Sequence, residues 1–230
     1  MSSREEILAA IKANQPGPRD LPPDHAGPSG PAGPASEEDL TSRFIAVLEA
    51  IGGAAFLVSG YDRVATILRE QFPDAKRVVS NCPQLRAFAV ATSAAAALSA
   101  DTPPADPHSY ENVDLAILPA HFGVAENGAC WITESQMIQR VLPFITQNLA
   151  LVLSRSAIVA TLHQAYDRIA AIEAAATAAT NAAGTDGFAT FIAGPSKTAD
   201  IEQSLVLGAH GPRSLTVFLL DDHLSDAGFF

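Results

Sequence analysis

The chain has 230 residues, of which 48% are hydrophobic and 17% charged, so it can bury a sizeable core and is not a disordered polymer. Its 25 acidic and 14 basic residues give a formal net charge of -11, which argues against long-range attraction to nucleic acid or anionic lipid. The longest apolar runs, Ala87 to Ala100 and Val141 to Ser154, are shorter than the roughly 20 residues needed to span a bilayer. The Met-Ser-Ser-Arg-Glu-Glu opening lacks an apolar signal region, so the expected location is cytoplasmic. The two cysteines, Cys82 and Cys130, lie far apart without a CxxC spacing. One chain with two thiols cannot supply the four ligands of an iron–sulfur cluster. HExxH and paired-histidine patterns are also missing, so no metal site is expected in this chain.

Residues 1–15 begin with Ser3-Arg4-Glu5-Glu6, which has the S-x-x-E form of a capping box, followed by an apolar stripe of Ile7, Leu8 and Ile11. The spacing predicts a short helix that needs a surface to dock on. Residues 16–36, rich in proline, glycine and alanine, read as an extended tether. Everything from Glu37 to residue 230 reads as one domain.

That domain opens with Ser36 and Asp39 as a helix start, and Leu40, Phe44, Val47, Leu48 and Ile51 share one helical face that ends at Gly52-Gly53. Ala54 to Ser59 follows as a strand, Tyr61 to Phe72 as a helix and Arg77 to Ser80 as a strand. An alanine-rich stretch around Ala94 to Ala97 has high helix propensity, and Asp101 to Tyr110 is loop. Asp114 to Leu118 reads as a buried strand. Phe122, Val124 and Glu126 alternate toward Asn127-Gly128, the signature of a tight hairpin that pairs Glu126 with Ala129 and Val124 with Trp131. Asn148 to Leu153 is a continuous apolar strand, and Ser156 to about Ala183 a long alanine-rich helix. Phe188 to Ala193 reads as a strand, Pro195 to about Leu207 as a helix and Leu215 to Leu220 as the last strand. Helices alternating with strands at this pace predict an α/β fold with a mainly parallel sheet.

Three segments could carry chemistry. In Gly194-Pro195-Ser196-Lys197-Thr198-Ala199-Asp200-Ile201-Glu202 a strand runs into a predicted helix start. Free amides and the helix dipole would favour an anion there, helped by the charge of Lys197 and the hydroxyls of Ser196 and Thr198. The spacing does not match a Walker motif, and an ordinary capped helix, with Asp200 and Glu202 complementing the dipole, explains the same residues. Second, Gly208-Ala209-His210-Gly211-Pro212-Arg213 lets the backbone approach a ligand closely. His210 is either a general base, an anion donor or a cap on the preceding helix. Third, Glu126 beside the Asn-Gly turn either orients a substrate, holds a neighbouring backbone or is solvated, whereas His121 reads as structural. Neither a G-x-S-x-G elbow nor a Rossmann G-x-G-x-x-G is present.

GPSKTADIEQSLVLGAHGPRSLTVFLLD, from Gly194 to Asp221, resembles the C-terminal signature of the LUD-domain family, which includes lactate-utilisation protein C and its relatives. FGVAENGACWIT resembles that family's hairpin, and SSREEILAAIKAN its N-terminal helix. The chain departs from the commoner pattern in two places. Glu126-Asn127-Gly128 replaces Glu-Thr-Gly, and Leu142-Pro143 is followed by Phe-Ile-Thr-Gln where many relatives carry a histidine, so that histidine's role does not transfer.

The resemblance implies a three-layer α/β/α fold of the ribose-5-phosphate isomerase, glucosamine-6-phosphate deaminase and CoA-transferase group. It also implies a part in oxidising L-lactate to pyruvate beside iron–sulfur partner subunits of the A and B types. Clusters are then expected only on those partners, with no cofactor in this chain. On this reading Glu126 and His210 are the candidate catalytic residues, and Gly194, Ser196, Lys197, Thr198, Asp200, Glu202, Gly208 and Arg213 the candidate contacts for a small anionic ligand. Two other readings remain open: a stand-alone enzyme acting on a sugar phosphate or acyl-CoA, resting on fold analogy alone, and a scaffolding or regulatory subunit without catalysis.

Overall fold

In a computed structural model of the chain, residues 3–15, 17, 36–93, 106–180, 187–199 and 205–221 are described. Helix α1 (Ser3–Ala13) comes first; Ser3 is its first helical residue and none of its side chains is buried. The predicted tether lies outside the described residues except for Gly17 and Ser36. Helix α2 (Glu37–Ala50) starts on the foreseen capping box: the Asp39 amide donates to Ser36 Oγ at 3.1 Å, and the Ser36 amide donates back to the Asp39 carboxylate at 3.3 Å.

Then follow β1 (Ala54–Val58), α3 (Tyr61–Gln71), β2 (Val78–Ser80), α4 (Arg86–Thr92) and β3 (Leu115–Pro119). The alanine-rich residues 94–97 lie outside the described residues. Next come β4 (Phe122–Val124), β5 (Ala129–Thr133), α5 (Leu142–Ile145), β6 (Asn148–Ser154), β7 (Ile158–Val159) and α6 (Leu162–Thr180). The chain continues through β8 (Ala189–Ile192), β9 (Lys197–Thr198) and β10 (Val206–Leu207) to β11 (Ser214–Leu220).

The main sheet has the order β1-β11-β6-β3-β2 with every neighbouring pair parallel, as the alternation of helices and strands predicted. Parallel pairing requires both faces to be covered, and the strand side chains divide accordingly. Leu115, Ile117, Phe218 and Leu220 point to a core closed by Val64, Ile67 and Leu68 of α3 and Phe88 of α4. Phe56 and Phe218, on neighbouring strands, stack with ring centroids 5.7 Å apart. The alternate residues Ala116, Leu118, Leu151, Val217 and Leu219 face Phe44 and Leu48 of α2, together with Met137 and Leu142.

A second sheet, β7-β4-β5-β8, lies on the α2 side. Gly123 pairs with Cys130, and the thiol joins the main core; Phe122, Val124 and Trp131 point the other way, toward Ala165, Ile169 and Ile172 of α6. The sheet also explains why α6 begins later than the predicted Ser156. Ile158 and Val159 pair with Gly123 and Val124, so this part of the chain is strand before it becomes helix.

Two local expectations are corrected. The hairpin pairs Val124 with Ala129 and Phe122 with Trp131, across the four-residue loop Ala125 to Gly128, instead of pairing Val124 with Trp131. The Ala125 amide is taken by Val159 O at 2.8 Å and the Gly128 amide by Val124 O at 2.9 Å, so within the loop only Gly128 needs positive φ. Glu126 therefore sits in the loop, outside the ladder. The predicted helix from Pro195 to Leu207 is not a helix at either end: Lys197 and Thr198 pair antiparallel with Leu207 and Val206. The Ser196 amide, which a helix start would have left free, donates to Pro212 O at 2.9 Å.

Candidate functional site

The residues read from sequence as one site fall into separate places. Lys197 reaches back to the C-terminal end of α2, where its Nζ donates to the Ile51 carbonyl. A lysine on the last carbonyls of a helix satisfies an orphan acceptor and complements the dipole. Gly194 packs on the same carbonyl with φ +72°; a Cβ there would come within 3.1 Å of it, so the position favours glycine for both conformation and space. Lys197 and Gly194 thus fasten the second half of the chain to α2, and the anion cradle expected at a helix start does not form around them. Ser196 is half-buried, with both its backbone groups engaged: its amide as above, and its carbonyl with the Gly208 amide at 3.0 Å. Thr198 is part of β9. Asp200 and Glu202 lie outside the described residues.

Glu126 does hold a neighbouring backbone. Its Oε2 accepts from the Leu162 amide at 2.7 Å, at the first residue of α6. A carboxylate there satisfies a free amide and meets the positive end of the helix dipole. The His121 ring lies 3.1 Å from Thr133 Oγ1.

Gly208, His210 and Arg213 do come together. They line a cleft of about 400 Å³ whose other wall is Phe144 and the residues up to Gln147. The Arg213 amide donates to Gln147 O at 2.8 Å, closing one end. Gly208 has φ +76°, and a Cβ there would come within 2.3 Å of Arg213 Cγ, so glycine is what lets the arginine lie across it. His210 and Arg213 are exposed, making this an open, cationic surface cleft.

Another cavity, of about 290 Å³, was not foreseen. It opens at the carboxyl ends of β2, β3, β6 and β11, on the side of the sheet that α3 and α4 cover. Val152, Leu220 and Pro119 form its apolar part, and Cys82 contributes a thiol pushed up to about 12 by burial, against a smaller opposing effect of its hydrogen bond with Ser80. The polar wall carries Tyr61, Asn81, Arg86, Ser135 and Gln136. Burial, reinforced by Cys82, also raises the Tyr61 phenol, which stays a neutral hydrogen-bond donor at physiological pH. Asn81 Nδ2 donates to Gln136 O at 3.0 Å and Ser135 O at 3.3 Å, tying the end of β2 to the turn after β5. Ser135 Oγ is 3.0 Å from Thr133 Oγ1, which is the hydroxyl that meets His121, so a chain of hydrogen bonds orients the Ser135 side of the wall. The sequence signal for these residues is positional: Asn81-Cys82 directly follows a strand of the parallel sheet, and Gly60-Tyr61 follows another after Ser59.

At the amino ends of the strands a comparable cavity of about 260 Å³ is lined by Asp74 and Asp114. The Asp114 carboxylate there accepts the Lys76 and Arg77 amides at 2.8 and 2.9 Å, an arrangement that anchors the start of β2. Among the described residues no group of three or more His, Cys, Asp or Glu is placed to hold a metal ion, and no helix is long and apolar enough to cross a membrane.

These features define a mixed α/β protein whose parallel sheet has a cavity at its carboxyl edge and whose C-terminal segment folds as a ribbon against α2. The LUD-domain model matches residues 41–220, and the chain belongs to that family. It is 32% identical over 119 residues to an uncharacterised protein of Neisseria meningitidis serogroup B, an overlap of 51% of this chain and 47% of that one. It is 30% identical to lactate utilization protein C of Bacillus pumilus over 118 residues, 49% of this chain and 47% of the relative. The corresponding protein of Bacillus subtilis is 30% identical over 112 residues, 49% of this chain and 44% of the relative. The matched part is thus about half the length of each curated relative. The fold is similar to a crystal structure of a DUF162 family protein from Deinococcus radiodurans, with a TM-score of 0.58 at 17% identity, covering 81% of this chain and 99% of that one.

Proposed function

We propose that this chain is the cluster-free component of an L-lactate oxidation system, working beside iron–sulfur partner proteins. The observation that carries the reading is the LUD-domain match over residues 41–220 together with relatives named lactate utilization protein C. Oxidising L-lactate to pyruvate removes two electrons and two protons, one hydrogen leaving the hydroxyl-bearing carbon and the other its hydroxyl oxygen. Cys82 and Cys130 are buried in different cores, and burial pushes both thiols up to about 12, so neither offers an accessible thiolate. Cluster ligation of the kind that carries such electrons then belongs to other chains.

Two surfaces support assembly and ligand contact. The exposed Ile7, Leu8 and Ile11 of α1 suit docking to a partner. Gly208, His210 and Arg213 retain the role of contacts for an anionic group, since they share a cleft with solvent access.

Deleting the gene in a host without a second copy should abolish growth on L-lactate, with growth on pyruvate kept and full rescue by the intact gene. Purification of the tagged chain should bring cysteine-rich partners with it, and removal of residues 1–35 should weaken that recovery. Normal growth on lactate after deletion overturns the proposal.

A further inference from the structure

We propose that the carboxyl-edge cavity bounded by Arg86, Tyr61 and Ser135 binds a short carboxylate bearing an oxygen on its second carbon, a 2-hydroxy or 2-oxo acid. The inference deepens the lactate-oxidation reading by giving this chain a ligand site of its own, away from the Gly208–Arg213 cleft.

Position is the first argument. Crevices at the carboxyl ends of parallel strands recur as ligand sites because the strand-to-helix turns there point free amides and helix N-termini at one place. Here α3 starts at Gly60 with no side chain capping it, and its first residue, Tyr61, lines the cavity. Charge is the second. Among the described residues of the lining Arg86 is the one with a formal charge, so they suit a single negative charge. A guanidinium has five N–H donors and can hold a carboxylate bidentately while keeping a contact within the protein.

Shape and polarity narrow the class further. At about 290 Å³ the cavity lies at the small end of the range for metabolite sites, and its apolar part, Val152 and Leu220, suits a methyl or short alkyl group. The neutral Tyr61 phenol supplies a donor for a hydroxyl or carbonyl oxygen, and Ser135, held in its hydrogen-bonded chain with Thr133 and His121, places a second hydroxyl in the wall. Cys82 is a protonated thiol in the wall, which makes the site one for reversible binding.

The test is calorimetric titration of the full-length chain with L-lactate, pyruvate, propionate and inorganic phosphate. Lactate or pyruvate should bind saturably, and propionate, which lacks the second-carbon oxygen, at least fivefold more weakly. Arg86→Gln should weaken binding tenfold or more. Val152→Phe should fill the cavity and abolish binding, and Ser135→Ala should narrow the gap between lactate and propionate. Leu207→Ala, an exposed position that lines neither cavity, should leave the affinity unchanged. Should Val152→Phe fail to fold, Arg86→Gln and Ser135→Ala carry the same test.

Absence of saturable binding to the wild-type chain, or full retention of binding in Arg86→Gln, overturns the proposal. If binding behaves as stated but deletion leaves growth on lactate intact, the lactate-oxidation role falls and the site stands. If growth depends on the chain but no 2-oxygenated acid binds, the site falls alone.

Discussion

The segment from Gly194 to Arg213 and the carboxyl edge of the main sheet differ in a way their residue types do not suggest. The first is dense in groups that look reactive, yet Lys197 caps α2, Ser196 holds a two-stranded ribbon and Gly194 makes room for a carbonyl. The second is built from Val152, Leu220, Asn81 and Tyr61, none of which marks a motif, yet they enclose a cavity with one arginine in its wall. Side-chain chemistry becomes a site only where the fold turns it toward a space.

The largest effect should come from the core beneath the cavity. Phe218 of β11 is fully buried and stacked on Phe56, so Phe218→Ala should cost about 3–5 kcal/mol. Leu207 in the ribbon is exposed, and Leu207→Ala should stay within about 0.5 kcal/mol. Urea unfolding of both variants measures the contrast; comparable losses would mean that the ribbon is as integral as the sheet.

The buried thiols sharpen the comparison through pH. Both are pushed from 9.0 up to about 12 in the folded chain, so the folded state keeps protons that the unfolded state releases. Their contribution is complete below pH 9 and is lost as pH rises toward 12, at up to about 1.4 kcal/mol per pH unit for each thiol. The urea midpoint should therefore fall between pH 8.5 and about 10.5, and Cys130→Ala should make that fall shallower. A flat profile would contradict deep burial.

Glu126→Ala removes the carboxylate from the start of α6 and should cost about 1 kcal/mol, with no effect on ligand affinity. A large loss of affinity instead would return Glu126 to the site. Smallest of all, Lys197→Met should cost about 0.3–1 kcal/mol through the end of α2. Loss of anion binding in this variant would break the distinction between the two regions.

Most of the main sheet was legible because its strands carry continuous apolar runs: Ala54 to Ser59, Asp114 to Leu118, Asn148 to Leu153 and Leu215 to Leu220 each anticipate an observed strand to within a residue or so. The capping box at Ser36 was equally readable, since a helix start depends on residues three apart. The helix foreseen from Pro195 failed for the opposite reason. Ser196 and Thr198 are committed by Pro212 and Val206, partners well beyond the four-residue reach of a helical hydrogen bond. The hairpin register failed similarly, because Val159 of β7, far along the chain, claims the Ala125 amide.

The amino-acid sequence by itself determined the α/β class, the order of the strands along the chain, the kinship to the LUD family and the two-cysteine limit on cluster ligation. These follow from periodicity, composition and motif, which are properties of neighbours in the chain. Tertiary structure alone decided which polar groups are already satisfied and where space remains. That allocation depends on hydrogen-bond partners and packing between distant segments, such as Lys197 with Ile51, Glu126 with Leu162 and Asn81 with Gln136.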